Sequence, residues 1–167
     1  MPKSPRFNMV ELKIRFITTR GFVSWAIRRV TFSEFSHVEI ELPDGTFLGA
    51  HAGDGVQIRA TDYCTPLFER RYSLLIPEVR YQVGMEFARS KIGTQYNLPD
   101  IVGLFFHSHL TSPGKLICSQ FVFEVLLEMG IKALNVLGPY SYLVTPDSLH
   151  LSPIFIGKCY FQTERPK

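Results

Sequence analysis

The chain has 167 residues and a mass of 19.1 kDa, which is enough for one folded domain over residues 1–167 and too little for a second full core. With 46% hydrophobic and 20% charged residues and a formal net charge of +3, it is neither a mainly disordered chain nor, with 12 scattered glycines and 11 prolines, a collagen-like one. The mild basic balance contains no run of five or six like charges, so nothing calls for a nucleic-acid partner, and three widely spaced cysteines (Cys64, Cys118, Cys159) do not make a disulfide scaffold.

The first residues begin basic, but Glu11, Lys13 and Arg15 interrupt the apolar stretch that a signal peptide needs. The protein is therefore expected to start in the cytosol, with signal-independent export or a phage-borne role left open. Residues 10–18 alternate as a strand, with Leu12, Ile14 and Phe16 on one face and Lys13 and Arg15 on the other. Residues 21–30 suit a short helix. Residues 36–42 give the clearest strand, with Val38, Ile40 and Leu42 facing one way and His37, Glu39 and Glu41 the other. Pro43-Asp44-Gly45 is a turn that leads into a returning strand at 46–50, so the two form a hairpin. Gly53-Asp54-Gly55 turns again into a third strand at 56–59, and residues 72–76 read as a fourth. The pairs Arg28-Arg29 and Arg70-Arg71 are expected on solvated faces.

Beyond Pro77 the apolar spacing changes to that of a helix, ending near Gly93. Residues 101–106 form the longest apolar run, read as a short helix and far below the ~20 residues of a membrane span. No integral membrane segment is expected. Residues 107–115 read as loop. Residues 117–129 are the strongest helix, stopped by Gly130. Thr145-Pro146-Asp147 opens a last helical turn through His150, and residues 154–161 read as a closing strand. Strands early and helices late imply an α+β fold.

Cys118 begins the strongest helix, where unpaired backbone N–H groups and the helix dipole favour a thiolate. Cys64 lies in a loop before Thr65-Pro66, and Cys159 is expected in an apolar strand setting, so neither shares that position. His37 titrates near working pH and can serve as general base to Cys118. His51, at the end of the returning strand, can orient His37 as the third member of a triad. His107 and His109, with Cys118 or His51, are a conceivable metal set, but no CxxC pair, HExxH or spaced acidic ligand set supports a metal. No glycine-rich phosphate loop is present, and no cofactor is expected.

Three segments together resemble a known family. Residues 36–59, SHVEIELPDGTFLGAHAGDGVQIR, are similar to the histidine hairpin of NlpC-type, papain-like cysteine hydrolases. Residues 91–97, KIGTQYN, resemble the G-x-x-Y stretch ahead of the family's nucleophile, and residues 117–122, ICSQFV, resemble its nucleophile helix. Here the histidine precedes the cysteine, as in the circularly permuted branch of YiiX-like and lecithin:retinol acyltransferase-like proteins. Thr145-Pro146-Asp147-Ser148-Leu149 and the terminal strand also look like that branch. The resemblance covers residues 33–161.

The resemblance implies a papain-like α+β domain: a small antiparallel sheet with the nucleophile helix packed against it. It implies a Cys118–His37 thioacyl mechanism on an amide or ester, with a peptide or acyl substrate. Cell-wall or related peptides are the first expectation, and a lipid ester or amide the alternative. Tyr96 is placed by analogy near the nucleophile, where it can help stabilise an oxyanion. Two departures stand out. The family's glycine after His-Val is Glu39, which shares the face of His37 and can line the cleft or orient the histidine. The third-residue slot falls on Gly49 in direct alignment and on His51 after a two-residue slip or bulge, and His51 is preferred because glycine cannot orient an imidazole. An inactive binding module on the same fold is the reading from a different class.

Overall fold

A computed structural model describes residues 8–96, 115–136 and 138–163. The expected helix at 101–106, with His107 and His109, lies outside the described residues. Strand β1 (Met9–Thr18) leads into helix α1 (Phe22–Thr31), followed by β2 (His37–Glu41), β3 (Phe47–His51), β4 (Gly55–Arg59) and β5 (Phe68–Pro77). Helix α2 (Glu78–Ser90) and the short strands β6 (Gln95–Tyr96) and β7 (Lys115–Leu116) precede helix α3 (Cys118–Glu128). A 3-10 helix (Gly138–Leu143), α4 (Pro146–His150), a second 3-10 turn (Pro153–Phe155) and β8 (Cys159–Gln162) close the chain. The main sheet has the order β4-β3-β2-β1-β5-β8, with every neighbouring pair antiparallel. β6 and β7 form a separate parallel pair. The fold is α+β, as expected.

One face of the sheet carries Leu12, Ile14, Phe16, Val38, Ile40, Leu48 and Leu74. With Met85 and Ala88 of α2 and Phe121, Val122, Val125 and Leu126 of α3 they form one buried core. Period-2 alternation in the strands supplies this face, as the sequence indicates. The opposite face departs from expectation. Its polar residues are not solvated: Arg15, Glu39 and Glu69 are buried. β1 is the reason. It pairs on both sides, setting Arg15 opposite Glu39 of β2 and Ile17 opposite Glu69 of β5, so the guanidinium meets a carboxylate from each neighbour.

Other expectations change for local reasons. β5 begins four residues earlier than residues 72–76 suggest, which takes Arg70 and Arg71 into the sheet. Both are half-buried rather than on a solvated face; Arg71 pairs with Glu41 and Glu69, and Arg70 lies 3.9 Å from Glu34. The closing strand at 154–161 is interrupted. Ser152 accepts a hydrogen bond from the Ile154 N–H and Pro153 occupies the first helical position, so a 3-10 turn forms and β8 starts only at Cys159. Cys159 is exposed there, not in an apolar setting.

The outer side of β4 is taken by the chain that follows α2. The Val56 N–H donates to the Thr94 carbonyl at 2.8 Å, and the Gly93 N–H donates to the Val56 carbonyl at 2.9 Å. Gly55 makes this approach possible: its φ is +79°, and a Cβ there would lie 2.1 Å from the Thr94 oxygen. Among the described residues no helix is long and apolar enough to cross a membrane.

Helices α2 and α3 also meet through a glycine. A Cβ on Gly84 would lie 2.2 Å from Met129 Cγ and 3.1 Å from the Val125 carbonyl oxygen. Gly84→Leu should therefore destabilise the protein by roughly 1–3 kcal/mol, despite leucine's better helix propensity. Met129→Ala in the same chain should recover part of that loss, because it empties the space the new side chain needs. Urea unfolding of both single variants and the double variant gives the coupling. Strictly additive losses would mean that the two positions do not share this contact.

Candidate active site

His37 is held at the first position of β2 by the central strand. Its Cα pairs with that of Ile17, and the Ser36 N–H donates to the Ile17 carbonyl at 3.0 Å. Cys118 is held at the first position of α3. Ile117 is the extended N-cap residue and supplies no side-chain cap, and the first turn holds no acidic residue, so the N–H groups there are left for the sulfur. β7 runs directly into this helix start and pairs in parallel with β6, with Tyr96 opposite Leu116. A two-residue ladder thus brings Tyr96 beside Cys118, although 21 residues separate them in the chain.

The Cys118 sulfur lies beside the His37 imidazole and the Tyr96 side chain, near enough for each to change the other's proton affinity. Cys118 is almost fully buried, which alone would raise its pKa. The charge of His37 and its hydrogen bond, with the N–H groups of Val38 and Ser119, outweigh this and hold the thiol below its ordinary value. Burial opposes charge on His37 as well, but Cys118 and then Glu39 overcome it and bring the imidazole up to about 10. For Tyr96, burial and then the adjacent sulfur push the phenol well above its ordinary value, so its hydroxyl keeps its proton.

Glu39 stands behind His37, with 3.3 Å between Glu39 Oε2 and His37 Nε2. The carboxylate is 0% exposed, and burial would raise its pKa. His37, Arg15 and Tyr63 reverse this and hold it below the ordinary carboxylate value. Arg15 donates from NH1 to Glu39 Oε1 at 3.0 Å, and the Tyr63 hydroxyl donates to Glu39 Oε2 at 2.9 Å. Arg15 also donates from Nε and NH2 to the two oxygens of Glu69, at 2.9 and 3.3 Å, and lies over the Phe47 ring at 4.2 Å.

The preferred third residue, His51, is brought to the site but not into contact with a ring nitrogen of His37. The β2–β3 pairs are Ile40↔Leu48 and Glu41↔Phe47. Continuing this register sets Gly49 opposite Glu39 and His51 opposite His37, with no slip or bulge. The two imidazoles lie side by side, 4.7 Å between centroids with 35° between planes. His51 Nε2 is 3.9 Å from Glu39 Oε2 and has no hydrogen-bond partner. Burial, and then the charge on His37, keep His51 neutral by drawing its pKa down to about 3. Glu39 therefore takes the orienting position. The carboxylate comes from the histidine's own strand because the facing residue, Gly49, has no side chain to offer.

Arg15, Tyr63 and Glu69 complete the site and were not foreseen. The alternation of β1 carries a signal for Arg15, a lone cation among Ile14, Phe16 and Ile17; Tyr63 lies in a loop and carries none. A cleft of about 470 Å³ opens beside His37 and Tyr96, walled by Phe22, Val23, Ile27 and Tyr63.

Arg15→Leu would remove the cation that buried Glu39 and Glu69 share, leaving Glu39 to His37 and Glu69 to Arg71, which should cost about 3–5 kcal/mol of stability in urea unfolding. Adding Glu39→Gln should recover part of the loss by removing one buried charge. If the double variant is less stable than Arg15→Leu by the full cost of Glu39→Gln alone, the ion pair is not the coupling. No protein-family model and no curated protein matches this sequence.

Proposed function

We propose that the protein is a cysteine-dependent hydrolase or acyl transferase acting on an amide or ester through Cys118 and His37. The observation that carries this reading is the buried, electrostatically coupled Cys118–His37 pair at a helix start, backed by the Glu39 carboxylate. Each imidazole nitrogen makes one in-plane hydrogen bond. With Nε2 turned to Glu39, Nδ1 serves the sulfur. The thiolate attacks the substrate carbonyl, and the oxyanion that forms takes donors from the helix start and the Tyr96 hydroxyl. The imidazolium gives its Nδ1 proton to the leaving amine or alcohol. It then takes a proton from the water, or second acceptor, that releases the acyl group. Glu39 keeps the ring oriented and offsets its charge throughout.

The resemblance to NlpC-type hydrolases supports a peptide substrate of cell-wall or related type. A lipid ester or amide is favoured by a separate observation, the apolar surface of α1, whose Phe22 walls the cleft. On α1, Phe22 and Trp25 are stacked 5.7 Å apart and exposed. Phe32, at the helix end, is 93% exposed with φ 50°, a conformation usually left to glycine or asparagine. A panel of wall peptides and acyl-lipid esters separates the two. Phe22→Ser with Trp25→Ser should lower turnover of the lipid ester more than that of the wall peptide.

The direct test is alkylation of each cysteine by iodoacetamide, followed by mass spectrometry across pH. Because Cys118 is lowered and His37 raised to about 10, the thiolate–imidazolium pair occupies the range between them. The midpoint of Cys118 alkylation should therefore lie below that of an ordinary thiol, with reactivity lost as the pH falls through it and the sulfur takes its proton. His37→Ala should move that midpoint upward and abolish turnover. Glu39→Gln should reduce turnover more than His51→Gln. A Cys118 midpoint near the ~8.5 of a free thiol, unmoved by His37→Ala, would instead indicate an inactive binding module.

A further inference from the structure

Three donor atoms converge where the catalytic reading uses only two. His37 Nε2, Glu39 Oε2 and His51 Nε2 belong to a cluster whose ligand atoms all lie within 4.8 Å of one another. They surround the space over Gly49: a Cβ built there would lie 3.5 Å from His51 Nε2, 3.6 Å from His37 Nε2 and 3.0 Å from Glu39 Cβ. His51 is 6% exposed, and its Nε2 has no partner. A buried nitrogen without a partner is destabilising, so its aim into this space calls for an occupant.

We propose that the space over Gly49 binds one divalent transition ion of zinc's character, held by His37 Nε2, Glu39 Oε2 and His51 Nε2. Two imidazoles and a carboxylate suit zinc and its neighbours rather than magnesium or calcium, which favour all-oxygen sets. At zinc–nitrogen distances of about 2.0–2.1 Å, tetrahedral donors stand about 3.3–3.4 Å apart. The His37–Glu39 separation of 3.3 Å already matches. The widest spacing must close by about 1.5 Å, within reach of side-chain rotation. Arg15 and Tyr63, bonded to the same carboxylate, hold the ligand from behind.

The ion takes the place of the hydrogen bond between His37 Nε2 and Glu39. Cys118 faces the other ring nitrogen and is not a ligand. The consequence for turnover rests on the thiol mechanism proposed above. With Nε2 bonded to metal, loss of the Nδ1 proton would leave an imidazolate, so His37 can no longer supply the leaving group. Metal binding is then a reversible block on acid catalysis that leaves the sulfur a nucleophile.

Binding is tested without reference to activity, on protein with Cys64, Cys118 and Cys159 all changed to serine. Isothermal titration with zinc chloride should give one site per chain. Cobalt(II) should give the visible bands of a low-coordinate site without a thiolate charge-transfer band. His51→Gln, which keeps the side chain's length, should weaken binding at least about tenfold. Gly49→Ala, which fills the cradle and leaves every donor in place, should do the same. Circular dichroism of each variant confirms that it is folded. Absence of binding at micromolar zinc, or binding untouched by both variants, overturns the site. A site present in the wild type and lost in the cysteine-free protein also overturns it, because the thiols would then be the ligands. If the site holds but zinc leaves turnover of the wild type unchanged, the thiol mechanism is at fault instead.

Discussion

A guanidinium sealed between two carboxylates is the constraint on which the rest of the structure depends. Arg15 lies on the central strand and is almost fully buried, with Glu39 on one side and Glu69 on the other. Three charges out of water are tolerable only if each hydrogen-bonding position is filled. The fold fills them with neighbouring strands, with the Tyr63 hydroxyl from the loop after β4, and with the Phe47 ring under the guanidinium. β1 cannot shift by one residue without placing Arg15 in the apolar core and Ile14 or Phe16 among carboxylates. The ion pair thus acts less as a source of stability than as a lock on register. That register is what puts His37 at the end of its strand facing the start of α3.

The same arrangement explains why a charged Cys118–His37 pair can exist in a buried place. Desolvation works against both the thiolate and the imidazolium, and each is retained because the other lies beside it. Glu39 adds a second negative charge next to the imidazolium, and Arg15 prevents that charge from being excessive. Along the line from Arg15 through Glu39 and His37 to Cys118 the signs alternate. Altering any member therefore changes the protonation of its neighbours rather than only its own.

Much of this was legible in the sequence, for identifiable reasons. Strict alternation in residues 36–42 fixes which side chains share the face of His37, and Gly130 fixes where the helix beginning at Cys118 ends. Those two segments locate the cysteine, the histidine and the α+β class. The role of Glu39 was visible only as an alternative, because alternation says that a carboxylate shares a face with His37 but not that the face is covered. Burial of that face depends on Tyr63 and on β5 starting at Phe68, both remote in the chain. His51 was preferred over Gly49 because glycine cannot orient an imidazole; the comparison left out the carboxylate on the histidine's own strand, which lies 3.3 Å from His37 Nε2. Arg70 and Arg71 were misplaced because a pair of arginines looks solvated until the strand that carries them is known to have Glu41 and Glu69 within reach. The β6–β7 ladder, only two residues on each side, has no periodicity from which to read it.

The glycine at the turn into β4 has a bearing on how such a protein can vary. With Thr94 seated against Gly55, the outer edge of β4 is already paired, so among the described strands growth of the sheet by another strand is open only beside β8. Position 55 is closed to any residue with a Cβ, and the chain that closes it reaches Tyr96 only two residues later. Sequence drift at a surface turn would in this way be felt at the sulfur. A position remote from Cys118 in the chain is thereby tied to the placement of Tyr96 beside its sulfur.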